Sequence, residues 1–258
     1  MGTIISVANQ KGGVGKTTTA VNLCASLTVA EKKCLLVDFD PQGNATAGLG
    51  FDKNELENGV YDLILGAARY QEAIRKTRLK GLFLMGATSD MIGAEVEMVS
   101  AEEREYRLRK MLSPLRDRFD YIVVDCPPSL GFLTLNALTA ADSVLIPLQC
   151  EYYALEGLSQ IVKTVRAVRR GLNPGLRLEG ILLTMFDARN NLSIQVEEEV
   201  REHFKGMVFK TVIPRNVRLS EAPSHGQPIL LYDNRSRGAR SYLALAEELM
   251  LTGAQRHG

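Results

Sequence analysis

From Lys11 to Thr18 the chain reads KGGVGKTT, three glycines and two lysines that follow the apolar run Thr3–Ala8 after only Asn9 and Gln10. A β-branched run that ends in such a loop and continues into TTTAVNLCASLTVA dictates a strand, a tight turn and a helix, in that order. Such a unit needs a sheet to pack on, because a helix that follows a strand folds back over it and delivers the next strand parallel to the first. The loop also carries chemistry. Gly12, Gly13 and Gly15, with Val14 between them, let backbone N–H groups turn inward around phosphate oxygens, and the helix that follows adds the positive end of its dipole. Lys16 is placed to neutralise the β and γ phosphates, the Thr17 hydroxyl to ligate Mg2+, and Thr18 to reach the α-phosphate. The loop departs from the usual G-x-x-x-x-G-K-[ST] pattern in its first half. Gln10 stands where a glycine is expected, and a second lysine, Lys11, stands beside it.

The rest of the chain repeats the strand–helix theme. Strands are expected at Thr3–Ala8, Cys34–Asp38, Leu82–Met85, Tyr121–Asp125, Ser143–Pro147, Glu179–Thr184 and Thr211–Ile213. Helices are expected at Lys16–Ala30, Ala101–Arg118, Ala154–Arg170, Ser193–Phe204 and Gly238–Leu251. Most of the strand runs are continuously apolar rather than alternating, the pattern of a mostly parallel, twisted sheet flanked by helices on both faces. The 258 residues contain no Pro/Gly/Ser-rich linker, low-complexity run or repeat, so the expectation is one α/β domain over residues 1–258.

In such sheets ligands bind beyond the carboxyl ends of the strands, and the remaining polar signals fall there. Asp38 and Asp40 follow the second run, two apart, and so share a face of an extended chain. Asp40, further out, is assigned to orient and deprotonate an attacking water; for Asp38 two roles stay open, a water-mediated Mg2+ contact or holding the loop. YIVVD ends in Asp125, as a Walker B strand does, where the carboxylate reaches Mg2+ through water. After Ile213, Pro214 and the amide of Asn216 are placed to pack on and read a purine, or else to make a structural turn.

Composition excludes several classes. The four cysteines are scattered without a C-x-x-C pair and the three histidines are dispersed, so no metal-ligand spacing exists and a reducing, cytoplasmic setting is expected. No run is long and apolar enough for a membrane span, and the opening MGTIISVANQ does not read as a signal peptide. Net charge is only +1, but it is unevenly spread: residues 1–159 carry 16 Lys and Arg against 20 Asp and Glu, and residues 160–258 carry 15 against 10. The second half is therefore mildly basic.

Taken together, KGGVGKTT, DFDPQGNAT, DCPPSLG, QCEYYALEGL and VIPRNVRLSEAPSHG resemble the ParA/Soj chromosome-partitioning ATPases, P-loop NTPases with a deviant Walker A motif, nearly end to end. The resemblance implies ATP and Mg2+ as cofactors and a homodimer when ATP is bound. In that class the first lysine, here Lys11, reaches the ATP held by the partner subunit, and Gly12 lets the opposing backbone come close. It further implies that the ATP-bound dimer binds double-stranded DNA without sequence preference through Arg189 and Arg218, that a ParB-type centromere-binding protein stimulates hydrolysis, and that the protein resides on the nucleoid. Arg166, Arg169, Arg170, Arg235, Arg237 and Arg240 are further candidates for the basic surface. The alternative is a MinD-like membrane-cycling ATPase, whose terminal helix inserts into lipid; ELMLTGAQRHG, interrupted by glycine, argues for no membrane partner.

Overall fold

The computed structural model describes residues 1–93, 97 and 102–257. Within them β1 (Thr3–Val7), β2 (Cys34–Asp38), β3 (Ile74–Lys76), β4 (Leu82–Met85), β5 (Tyr121–Asp125), β6 (Ser143–Gln149) and β7 (Arg177–Thr184) form one sheet in the order β3-β4-β2-β5-β1-β6-β7. Every pairing is parallel except that of β3 with β4. Every residue of β2 is buried, and so is all of β5 after its first residue. Apolar side chains on both faces therefore have somewhere to go. Ile4, Leu35, Val37, Ile122 and Val124 enter one core, whereas Ile5, Leu36, Val123, Leu145 and Leu182 enter the other. At about 1.5–3 kcal/mol for each fully buried aliphatic side chain, the two cores are the main hold on the sheet.

The second core lies under the helix Lys16–Val29, which packs with the long helix Arg237–His257 through Tyr242, Leu245 and Leu249. The Tyr242 hydroxyl, buried in that contact, lies 3.2 Å from Thr19 Oγ1, so a single polar pair ties the two helices together. Val7 and Asp38 both stand level with Asp125 in the sheet, which brings the loops after β1, β2 and β5 to one edge. Among the described residues, no helix is long and apolar enough to cross a membrane.

The structure differs from the sequence expectation at several elements. Thr211–Ile213 is not a regular strand: it runs beside the end of β7 through isolated bonds, with Ile213 N–H donating to Leu183 O at 2.9 Å, and the association continues to Pro214, which stands opposite Phe186 where its missing N–H is not needed. The helix expected over Ala101–Arg118 is broken into the 3₁₀ turn Arg104–Tyr106, the helix Arg107–Leu112 and the 3₁₀ turn Ser113–Leu115 around Pro114; Ala101 lies outside the described residues. The edge strand β3 and the helix Phe132–Ala140 were not expected, so Asp125 ends the fifth strand rather than the fourth. All four cysteines are buried and free.

Candidate active site

The carboxyl ends of β1, β2 and β5 open on a cavity of about 540 Å³. Gly12, Gly13, Gly15, Lys16, Thr17 and Thr18 line it from the loop after β1, Asp40 from the loop after β2, and Pro128 from the loop after β5. A second cavity of about 450 Å³ adjoins it and is lined by Pro214 and Asn216, with Gly15, Thr18, Met185 and Pro223 shared between the two. Val14, Asp38 and Asp125 are buried and line neither cavity, while Lys11, Arg189 and Arg218 stand outside both.

The loop glycines are not equivalent. Gly13 (φ 74°) and Gly15 (φ 87°) hold left-handed backbone that other residues adopt only at a cost. Gly12 does not, and a Cβ added there would meet nothing nearer than Pro128 Cβ at 3.9 Å. Within this chain, position 12 has no need of glycine. Val14 anchors the loop from below, its carbonyl accepting from Thr184 Oγ1 at 2.9 Å.

The two lysines also part company. Lys16 is buried, and its ammonium donates to the Lys11 carbonyl at 2.9 Å. Burial lowers its pKa, against the opposing pull of Asp125, Cys126 and Asp40. Lys11 turns the other way: its Nζ lies 2.6 Å from Glu151 Oε2, beyond the end of β6. Its backbone N–H is held by Asn9 Oδ1 at 3.1 Å, and Asn9 Nδ2 in turn donates to Pro147 O at 2.7 Å. The lysine at the front of the loop is thus on the rim, paired with a carboxylate of its own chain.

The three aspartates have three environments. Both carboxylate oxygens of Asp125 are buried without a hydrogen-bond partner. Burial and then the charge of Asp38 push its pKa up; the nearby Thr17 hydroxyl and Lys16 pull it down. An orphaned carboxylate beside a threonine hydroxyl and a cavity fits a hydrated divalent cation. Among the described residues no group of three or more His, Cys, Asp or Glu side chains is placed to hold a metal alone, so phosphate and water would have to complete the shell.

Asp38 is occupied instead: Oδ2 accepts from Thr46 N at 2.7 Å and Thr46 Oγ1 at 2.6 Å, and Oδ1 from Asp40 N at 3.4 Å. Of the two roles left open for it, these bonds favour holding the loop. Burial raises its pKa and the Thr46 bonds lower it. Asp40 accepts from Gln42 N at 3.0 Å through Oδ1, closing a turn, and presents its carboxylate to the first cavity.

Thr46 is the hinge of this arrangement, since its Oγ1 also accepts from Ala87 N at 3.0 Å. Thr46→Val keeps the volume but orphans Ala87 N–H and takes a donor from a buried carboxylate. It should cost roughly 2–4 kcal/mol, read as a lower urea midpoint at unchanged slope. A shift below about 0.5 kcal/mol would mean that Asp38 does not organise the loop through Thr46.

On the second cavity, Asn216 Oδ1 caps the helix Val217–Glu221 by accepting from Arg218 N at 2.9 Å, which leaves its Nδ2 for a ligand. Met185, unread in the sequence, stands between the cavities in left-handed backbone (φ 51°). Phe186 N–H bonded to Ile213 O at 3.1 Å and Arg215 N–H bonded to Phe186 O at 3.0 Å hold that turn. Its one sequence signal was its place directly after a strand. The predicted DNA contacts are both ion-paired here, Arg189 with Asp187 at 2.8 Å and Arg218 with Glu221 at 2.8 Å.

A family model described as an AAA domain matches residues 2–178. The chain is 60% identical over 250 residues to the chromosome partitioning protein ParA of Myxococcus xanthus DK1622, covering 97% of this chain and 88% of that protein. It is 59% identical over 253 residues to the sporulation initiation inhibitor protein Soj of Bacillus subtilis 168, covering 98% of this chain and all of that protein (100%). The solved structure of Mycobacterium smegmatis cobyrinic acid a,c-diamide synthase with bound ADP and magnesium is similar at a TM-score of 0.85 and 39% identity, over 97% of this chain and 94% of that one. Fold and loop together define a P-loop NTPase whose Walker A motif carries a lysine at its front. Its cofactors are ATP and Mg2+, and it is an ATPase. Within that class the chain belongs to the ParA/Soj family of chromosome-partitioning ATPases.

Proposed function

We propose that this chain, working as one domain over residues 1–258, is an ATP-driven pairing switch on the bacterial nucleoid. It takes up Mg·ATP, pairs with a second copy, and binds double-stranded DNA without sequence preference. It leaves the DNA when a ParB-type centromere-binding protein stimulates an otherwise slow hydrolysis. The observation that carries this reading is the pair Lys11 and Gly12. A glycine for which the chain itself has no need, beside a lysine that stands outside its own cavities, makes sense if a partner's backbone and phosphates come against them. Two nucleotides bring a large negative charge to one interface, and a lysine from each side offsets it.

The other roles follow from placement. The backbone of Gly12 to Thr18 and the Lys16 ammonium hold the phosphates, Pro214 packs on the base, and Asn216 Nδ2 reads it. Bound Mg2+ supplies charge neutralisation at the β and γ phosphates; Thr17, and Asp125 through water, would hold it, with Asp38 as the alternative carboxylate. Asp40 orients the attacking water and accepts its proton. Arg189 and Arg218 contact DNA phosphates. The membrane-cycling alternative is disfavoured by the helix Arg237–His257, whose Tyr242, Leu245 and Leu249 are buried inside the fold rather than free for lipid.

The test is the mass in solution and the affinity for random-sequence duplex with ATP, ADP and no nucleotide, across a salt series. A dimer and salt-sensitive DNA binding are expected with ATP alone, log K falling by about 0.9 per phosphate contact for each decade of salt. An ATP-dependent dimer that binds anionic vesicles and ignores DNA would establish the membrane reading instead. A monomer with fast basal turnover that ignores both would favour a metabolic enzyme that uses ATP to activate a carboxylate.

A further inference from the structure

The sequence offers Arg189 and Arg218 as bare cations, and the structure does not. Arg189 has a side chain 90% exposed, yet it is held in a two-bond fork: Nε donates to Asp187 Oδ1 at 3.0 Å and Nη2 to Asp187 Oδ2 at 2.8 Å. The same Oδ1 accepts from Arg189 N at 3.1 Å, so the turn itself presents carboxylate and guanidinium to each other. Arg218 is treated alike by different residues. Its Nη1 donates to Glu221 Oε2 at 2.8 Å, and its Nε lies 3.6 Å from Asp233 Oδ2. Glu221 is itself fixed by the Tyr232 hydroxyl at 3.0 Å, and the His225 ring stacks on Tyr232 at 4.9 Å between centroids. Hydrogen bonding to Arg189, with lesser help from Arg215, holds the Asp187 carboxyl down at about 2, so the negative charge persists across the physiological range.

We infer that Asp187 and Glu221 are built-in counter-ions that hold the DNA affinity of Arg189 and Arg218 down. The inference rests on the DNA-binding reading above. A bare arginine meeting a phosphate releases one condensed cation from the DNA, and that release drives binding. An arginine already neutralised by a carboxylate brings no net charge to the same phosphate. Either the carboxylate stays and repels the DNA, or it lets go and recruits a cation from solution, which cancels the release. Each paired arginine thus positions the protein on the backbone while contributing little to the salt-dependent part of the affinity. Two unrelated loops built the same way keep the hold on DNA weak enough to be broken when the nucleotide is spent.

The closing experiment uses Asp187→Asn and Glu221→Gln in the full chain with ATP. Glu221→Gln keeps one oxygen for both the Arg218 and Tyr232 bonds, and Asp187→Asn keeps one oxygen for Arg189 N and Nε while giving up the bond from Nη2; both remove the charge. Each is expected to raise affinity for random-sequence duplex about three- to tenfold near 0.1 M salt. Each should also steepen the fall of log K with log salt by up to about 1.8 per dimer, two copies at about 0.9. A merely structural carboxylate would not move that slope. Arg189→Ala, which should lose affinity, fixes the direction of the scale, and the ATP-dependent mass of each variant is the control for folding. Wild-type binding that both variants leave unchanged or weaker overturns the inference alone. An ATP-loaded protein that binds no duplex, in wild type and variants alike, removes the DNA reading and the inference with it.

Discussion

Asp40→Ala should load ATP, form the dimer and stay on DNA, while hydrolysing ATP at least about 100-fold more slowly than the parent, the usual contribution of a positioned base. The carboxylate lines the cavity that holds Lys16 and Thr17, so it has access to the phosphate end. Its removal leaves the phosphate-binding backbone, Lys16 and the Lys11–Gly12 front of the loop in place, which is why binding and pairing should survive. A second role complicates the reading, because Asp40 Oδ1 also closes the turn through Gln42 N at 3.0 Å. Asp40→Asn separates the two. Asparagine keeps an acceptor for Gln42 but cannot take a proton from water. If Asn behaves like Ala in single-turnover hydrolysis, the base assignment stands; if Asn restores turnover, Asp40 is a turn residue and the water is activated elsewhere. An Asp40→Ala protein that stays monomeric with ATP would likewise sink the division of labour between Asp40 and the front of the loop.

The architecture was legible wherever the physics is local. A continuously apolar run such as CLLVD can be satisfied only between two covered faces, and its burial at every position is that rule realised. The loop after β1 was legible because glycine, lysine and threonine at fixed spacing leave few alternatives. Elements that escaped are those whose cause lies elsewhere in the chain. β3 is three residues, Ile-Arg-Lys, with no periodicity to read, and it is a strand because β4 offers a free edge. Phe132–Ala140 shows no amphipathic stripe, because its Thr134, Asn136 and Thr139 are buried along with Leu133 and Leu138.

The site divides in the same way. Lys16, Thr17 and Asp40, each singled out in the sequence by its position after a strand, line one cavity. The Glu151 partner of Lys11 is 140 residues away, and nothing in the sequence joins them. Asp187 and Arg189 are only two apart, but the pairing depends on the turn that aims them, which composition does not encode. Met185 is the extreme case: a left-handed methionine is set by the bonds of its neighbours Phe186 and Arg215 to the following segment, not by its own type.

Gly12→Val should fold with the stability of the parent, bind nucleotide, and lose ATP-dependent pairing by at least about 30-fold. Stability is expected to hold because position 12 is neither left-handed nor crowded, with Pro128 Cβ at 3.9 Å from a built Cβ. Nucleotide binding is expected to hold because Gly13 and Gly15, which do carry left-handed backbone, and Lys16 are untouched. Pairing should fail because an isologous interface repeats every insult twice. Overpacking costs about 1–3 kcal/mol at one contact, so two copies supply about 2–6 kcal/mol, or some 30-fold and upward in the dimer constant. Gly12→Ala should fall between, since a single methyl has room within the chain. The result also decides what it is that comes close. A Gly12→Val protein that loses nucleotide binding along with pairing places the ligand, and not a partner, against the glycine. One that still pairs leaves position 12 without a reason for its glycine on either side of the interface, and the proposed geometry of the dimer would fall with it.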